Sequence, residues 1–347
     1  MTTAQAQRTD LVALDVGGAA IKAADGRGWT HALPCPLWRE WRRLPAAIAA
    51  VIGPLRPRRL VATMTGEIAD CYPSRPAGVA AIVAAIEEAA RTVGCEEPCG
   101  IYLLDGRIVP GREAVERPLA AAASNWHALA RLAAGLAGGR PGFLIDVGST
   151  TTDILPLGPA GPVPLAIDDA GRMRTGELVY TGIERTPVAT LVRSLPHGGL
   201  RRPVASERFA DSRDAWLLLD ALAEDTHAHD TADGGPATRA AARVRLARTM
   251  LLDPDALSAA EARVAAARCA AVQVRLVAHA LRRVAAGCGW RPEVVVLSGH
   301  GVPLAAGALG RTGWQVERVS LAERLGPAVS RVAPAHAVAL VARGLLP

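Results

Sequence analysis

The sequence predicts an α/β protein built from two similar domains. Three observations predict it. A unit of apolar strand, acidic residue, glycine turn and second strand occurs twice, at 11–22 and at 143–155, with Asp15-Val16-Gly17 and Asp146-Val147-Gly148 lying 131 positions apart. Strand-like apolar runs alternate with stretches of helical periodicity. The 347 residues are enough for two hydrophobic cores.

The elements follow in order. Residues 11–32 read as three short strands, with Asp25-Gly26 as the turn between the second and third. Residues 45–52 form an apolar helix stopped by Gly53-Pro54. The strand 60–64 runs into the polar turn Thr65-Gly66-Glu67. A helix over 79–93 ends at Gly94, and a strand over 100–104 is closed by Asp105-Gly106. Residues 114–135 read as largely helical around Ser124-Asn125-Trp126-His127, and 138–142 as a loop. The second hairpin unit then begins.

Residues 205–240 hold the least regular stretch. Its segment 227–236 carries two His and two Asp, which raises a metal-binding loop, but turn-forming composition favours a solvated one. Helices follow near 239–252 and 259–287. The buried strand 293–297 leads into Ser298-Gly299-His300-Gly301, a glycine turn opening toward a helix, and 333–346 form a last helix.

Composition bounds the function. Half the residues are hydrophobic, as in a globular protein. The net charge of +6 is spread among 33 acidic residues, and no motif interleaves arginines with aromatics, so no nucleic-acid partner is expected. A mild basic excess suits an anionic small molecule. No apolar run reaches the roughly 18–20 residues of a membrane span, and residues 1–10 lack the apolar core of a signal peptide. A cytoplasmic protein without a membrane partner is expected. The six cysteines form no paired zinc pattern, and Cys95 and Cys99 read as reduced thiols. The oligomeric state is left open, a homodimer included.

Lys22 is the one lysine among 39 basic residues. A compact ammonium fits beside a phosphate in a tight pocket where a planar guanidinium does not. Three glycine turns follow buried strands: Gly17-Gly18, Gly148-Ser149 and Gly299-His300-Gly301. Glycine lets backbone N–H groups approach phosphate oxygens. Asp15 and Asp146, at the strand ends, are candidate ligands of Mg²⁺ or a similar divalent ion beside a bound phosphate, and Ser149, Thr150 and Thr151 add hydroxyls. Position eight of the unit is Lys22 in the first copy and Asp153 in the second. In Gly-His-Gly, His300 either contacts a ligand or bonds backbone.

These turns resemble the superfamily of acetate and sugar kinases, heat-shock ATPases and actin. The resemblance implies two ribonuclease-H-like domains (1–135 and 136–332), a ligand cleft between them, and a C-terminal helix (333–347) returning to the first domain. More narrowly, the segments 15–24, 64–71, 146–153 and 176–182 resemble the hydantoinase A/oxoprolinase family. The branch concerned is linked with tetrahydromethanopterin-dependent C1 transfer and is similar to synthases of methanofuran biosynthesis. The resemblance implies a transferase. It would condense an aminomethyl-furan-methanol diphosphate with the phenol oxygen of a tyramine, tyrosine or glutamyl-tyramine acceptor and release diphosphate. No nucleotide is then expected, with ATP as the alternative in a kinase or hydantoinase-type enzyme of the same fold. Ala19 agrees with the first reading, because kinases of this fold often carry Thr or Ser at that turn position. The residues expected to act are Lys22 on the leaving group, and Asp153 or Glu67 as base. Gly17, Gly18, Thr65, Gly66, Gly148, Ser149, Thr150, Thr151, Arg174, Tyr180, Gly299, His300 and Gly301 are expected to bind substrate, with Arg172 beside them. An actin-like assembly protein, the non-enzymatic alternative, has no coiled-coil repeat or long apolar surface segment to support it.

Overall fold

A computed structural model describes residues 8–346. The chain forms two compact units. The first takes the described residues up to Pro141, Leu157–Val163 and the described residues from Val319; the second takes Gly142–Pro156 and Pro164–Arg318.

In the first unit, β1 (Leu11–Val16), β2 (Ala20–Ala24), β3 (Thr30–Pro34), β4 (Arg59–Met64), β5 (Gly100–Tyr102) and β6 (Ile108–Pro110) form one sheet in the order β3-β2-β1-β4-β5-β6. β1, β2 and β3 are antiparallel neighbours, whereas β1, β4 and β5 run parallel. β1 is buried along its whole length, which explains its uninterrupted apolar run apart from Asp15. The helices Leu44–Ile52 and Arg75–Val93 supply Ile48, Ile52, Val79, Ile82 and Ile86 to the core that includes Val12, Leu14, Leu60 and Ala62. Each such side chain contributes about 1.5–3 kcal/mol by leaving water. Ser74 caps the second of these helices by accepting from Ala77 N, and Gly94 ends it at φ +75°. The helix Ala333–Ala342 packs on β1, β2 and β4. Arg343, just beyond it, donates to the Asp10 carboxylate at 2.6 and 2.7 Å and to the Asp25 carbonyl oxygen at 2.9 Å.

The second unit repeats the plan. β7 (Gly142–Val147), β8 (Thr152–Gly158) and β10 (Leu178–Val179) are followed by the hairpin β11 (Ser194–His197) and β12 (Leu200–Pro203), then β13 (Val294–Gly299) and β14 (Glu317–Ser320); the end of β8 from Leu157, β9 (Gly161–Pro162) and the end of β14 from Val319 fall in the first unit. The main sheet has the order β10-β8-β7-β13-β14, with β9 on β8. With β7 as first strand, β8 as second, β10 as third, β13 as fourth and β14 as fifth, both sheets read 3-2-1-4-5. Both are ribonuclease-H-like domains, and the protein has the actin and sugar-kinase type of fold.

Several elements differ from the sequence expectation. The helical stretch 114–135 is three helices, Gly111–Glu116, Pro118–Ala121 and Asn125–Ala137, because Pro118 interrupts the first and Ala123 sits at φ +48° before the third. The strand expected over 100–104 is shorter, Gly100–Tyr102. The helix Ala259–Cys288 is, by length and composition, apolar enough to cross a membrane, against the expectation from uninterrupted runs. Arginines break the run without removing its apolar faces. In the structure 56% of its apolar window is buried, and the helix packs against helices Ser212–Leu218 and Val302–Gly310.

Candidate active site

In the first unit, β1 and β2 are joined by a tight turn closed by Gly17 N donating to the Ala20 carbonyl oxygen at 3.0 Å. In the second, Gly148 N donates to the Thr151 carbonyl oxygen at 2.9 Å. The two turns are the same at the hydrogen-bond level, at the offset the sequence repeat gives.

The parallel neighbour of the first strand completes each turn. Asp15 lies across from Thr63 in the β1–β4 register, and Asp146 across from Ser298 in the β7–β13 register. The loop after β4 donates from Thr65 N and Gly66 N to the Val16 carbonyl oxygen, both at 3.0 Å. After β13, Gly301 N donates to the Val147 carbonyl oxygen at 3.1 Å. Thr65-Gly66 and His300-Gly301 therefore occupy equivalent places. Small residues are required at both. A Cβ on Gly66 would lie 2.5 Å from Leu37 Cδ1, and one on Gly301 would lie 2.1 Å from Val147 Cγ1.

In the first unit these connections gather Asp15, Gly17, Gly18, Lys22, Thr65, Gly66 and Glu67. Lys22 stands across the β1–β2 ladder from Asp15. Asp15 is buried, and burial pushes its carboxyl up from the usual range, opposed by the Lys22 charge and by a hydrogen bond from Asn125. Asn125 is the first residue of the helix Asn125–Ala137. Asp15 Oδ1 is buried with no hydrogen-bond partner. Thr63 and Ser124 share a hydrogen bond of 2.8 Å, and Ser124 Oγ donates onward to the Tyr102 carbonyl oxygen. Glu67 is buried under the helix Arg75–Val93, where a Cβ on Gly78 would come 2.2 Å from the Glu67 carbonyl oxygen. Ala19 is exposed.

In the second unit the connections gather Asp146, Gly148, Ser149, Thr150, Thr151, Asp153, Gly299, His300 and Gly301. Asp153 forms an ion pair with Arg172, which is buried and also lies 3.7 Å from Asp169. Burial pushes the Asp153 carboxyl up while the Arg172 guanidinium opposes the shift. Arg172 is thus an interior partner of Asp153. Arg174 is exposed on the helix Asp169–Thr175, and Tyr180 is 65% exposed just beyond β10. Glu177, inside the matching segment 176–182, accepts from Leu165 N at 2.7 Å, Ala166 N at 3.0 Å and Thr175 Oγ1 at 2.7 Å; it fixes a loop.

Sequence reasoning missed the residues that brace the Ser149 turn. Ile183 N donates to the Gly148 carbonyl oxygen, and Glu184 N and Arg185 N donate to that of Ser149. Beneath them Gln273 Nε2 donates to Thr181 Oγ1 and to the Gly182 carbonyl oxygen, both at 2.8 Å, while Gln273 Oε1 accepts from Trp216 Nε1. The Glu184 carboxylate accepts from Arg213 at 2.7 Å and lies 3.4 Å from His300 Nε2. Despite the burial that opposes it, these partners hold Glu184 down to about 2. Gly182, a turn residue in the sequence, was the one local signal.

The segment 227–236 is held by arginines. Asp230 pairs with Arg213; Asp233 pairs with Arg245 and Arg248; the buried Arg245 also pairs with Asp214 at 2.7 Å. Among the described residues no cluster of three or more His, Cys, Asp or Glu could hold a metal ion. All six cysteines are free, and burial with Cys95 nearby pushes the Cys99 thiol up to about 12. A divalent ion at Asp15 or Asp146 would thus find one carboxylate in each unit. That fits Mg²⁺, which keeps waters and takes substrate phosphates as further ligands, better than it fits an all-protein cage. The unpartnered Asp15 Oδ1 is an oxygen of the required kind.

The chain is 31% identical over 250 residues to a (4-{4-[2-(gamma-L-glutamylamino)ethyl]phenoxymethyl}furan-2-yl)methanamine synthase of Methanocaldococcus jannaschii, covering 71% of this chain and 72% of that one. A synthase of the same name from Methanococcus vannielii is 30% identical over 206 residues, 59% of this chain and 91% of that one. Among solved structures, the inorganic polyphosphate/ATP-glucomannokinase from Arthrobacter sp. strain KM is 13% identical, with a TM-score of 0.45 over 97% of this chain and 100% of that one. The family described as hydantoinase/oxoprolinase matches residues 58–343. The chain belongs to the hydantoinase/oxoprolinase family.

Proposed function

We propose that this protein is an enzyme of methanofuran biosynthesis. It transfers an aminomethyl-furanylmethyl group from its diphosphate ester to the phenol oxygen of a tyramine-type acceptor, with glutamyl-tyramine as the acceptor that the relatives' product name suggests. The observation that carries the reading is the likeness to the two synthases, which spans most of both chains for the first of them.

The bond changes are simple. The phenol O–H and the ester C–O bond break; an ether C–O bond forms; inorganic diphosphate leaves with the electron pair of the broken C–O bond. The furan ring stabilises positive charge on the departing carbon, so the protein's task is to position the partners and to stabilise the leaving group. Lys22 supplies a point charge for a diphosphate oxygen. The glycine turn Gly17-Gly18 with Thr65 and Gly66 in the first unit, and Gly148-Ser149 with Thr150, Thr151, Gly299 and Gly301 in the second, are each of the kind that lets backbone approach phosphate. Mg²⁺ held by Asp15 in the first unit or by Asp146 in the second would supply further charge neutralisation. The phenol has a pKa of about 10, so a carboxylate takes its proton. Glu67 and Asp153 are the candidates; Asp153 shares its charge with Arg172. Arg174 and Tyr180, both exposed, remain candidates for acceptor contacts.

The test is to mix the furanylmethyl diphosphate and the phenolic acceptor with the protein and Mg²⁺, without ATP. Formation of the ether with an equal amount of diphosphate is expected, and exhaustive chelation is expected to stop it. Substrate-stimulated ATP cleavage with no product from the diphosphate would replace this reading with a kinase or hydantoinase-type one.

A further inference from the structure

The structure assigns Glu184 as the positioning residue for His300: its carboxylate holds the imidazole beside the Ser149 turn, where His300 donates to a phosphate oxygen of the bound ligand. This inference rests on the diphosphate reading above.

Residues 182–185 are the common brace of two glycine turns. On one side, Ile183 N donates to the Gly148 carbonyl oxygen at 3.0 Å and Glu184 N to the Ser149 carbonyl oxygen at 3.1 Å. On the other, a Cβ on Gly301 would come within 3.2 Å of Ile183 Cβ, so the His300 turn is seated on the same segment. From that segment the Glu184 side chain reaches His300, with Oε1 3.4 Å from Nε2.

The carboxylate is not free to swing away. Its second oxygen accepts from Arg213 Nη2 at 2.7 Å, and Arg213 is itself fixed by two bonds to Asp230, at 2.6 and 2.8 Å. The Arg213 backbone N also donates to the Glu184 carbonyl oxygen. Glu184 and Asp230 carry two negative charges against one positive charge on Arg213. With Nε2 turned to Glu184, Nδ1 is the ring nitrogen left to meet an anion, as the donor when it carries a proton. His300 is 37% exposed, so it is open to a ligand, whereas Arg213 is 10% exposed and serves as the anchor. Asp146 is the other carboxylate at this turn, its Oδ1 2.9 Å from where a Cβ on Gly299 would lie.

Calorimetric binding of inorganic pyrophosphate with Mg²⁺ to the full-length protein tests the assignment, using wild type, Glu184→Gln, His300→Gln and the double variant. Loss of one charge-assisted hydrogen bond lowers affinity by about 10- to 100-fold. His300→Gln is expected in that range, Glu184→Gln at least several-fold weaker than wild type, and the double variant no weaker than His300→Gln alone. That non-additivity is what a residue acting through another produces. Wild-type affinity in Glu184→Gln, or losses that add in the double variant, would overturn the assignment. If Glu184→Gln does not fold, His300→Gln decides, and wild-type affinity there overturns it. Failure of the wild type to bind pyrophosphate overturns the diphosphate reading, and this inference with it.

Discussion

Lys22 on β2 stands directly across the ladder from Asp15 on β1, and the buried carboxylate and the chain's one lysine are coupled through their charges. The pairing accounts for a lysine in an arginine-rich chain. The position lies within an antiparallel ladder and is partly buried, a setting that suits a compact ammonium better than a broad planar guanidinium. Lys22→Ala is predicted to lower kcat by roughly 10²–10³-fold, the usual cost of one leaving-group contact, while circular dichroism stays native. Lys22→Arg should recover only part of the loss. Unchanged kcat in Lys22→Ala would remove the residue from the mechanism.

Gly182→Ala is predicted to displace the Ser149 turn. A Cβ there would sit 2.5 Å from the Ser149 carbonyl carbon and oxygen and from Thr150 N, all of them backbone atoms that cannot rotate away. Because Gln273 and Ser212 also bind the Gly182 carbonyl oxygen, strain at this point is hard to relax. The variant should lose pyrophosphate affinity and turnover together, with a thermal midpoint lowered by several degrees. Native affinity would show that the turn does not hold the ligand.

Stability should fall with acid through His127. Its imidazole is packed against Trp126 and shares a 2.8 Å hydrogen bond with Tyr102 Oη; burial first, and Arg131 second, hold it down to about 4. The unfolded chain takes this proton near pH 6.5, before the folded one does. The contribution is therefore complete above about pH 6.5 and is lost as the pH falls toward 4, on the order of 2–3 kcal/mol over that window. His336, also lowered by burial, acts in the same direction. Urea midpoints at pH 7 and pH 4.5 measure the drop, and His127→Gln should make it smaller. An equal drop in the variant would assign the effect elsewhere.

Much of the site's scaffold was legible because it is local. The two Asp-x-Gly units and the glycine stop at Gly94 each depend on neighbours a few residues away, and each forms as the sequence indicates. Ion pairs were not legible. Arg172 with Asp153, and Arg213 with Glu184 and Asp230, join residues 17 to 29 positions apart, and no spacing rule selects them among so many arginines. The hairpin β11–β12 was missed although Gly198-Gly199 marks its turn, both at positive φ, because its strands are short and Pro196 and Pro203 mask the alternation.

The central claim is that the phenol oxygen attacks the furanylmethyl carbon and expels diphosphate. Oxygen labelling tests it most directly. A phenolic acceptor carrying ¹⁸O in its hydroxyl is allowed to react with the furanylmethyl diphosphate, and both products are weighed by mass spectrometry. The account predicts that the label is retained in the ether and absent from the released diphosphate. Label appearing in a phosphorus-containing product would mean attack at phosphorus, a phosphoryl transfer, and would contradict the account.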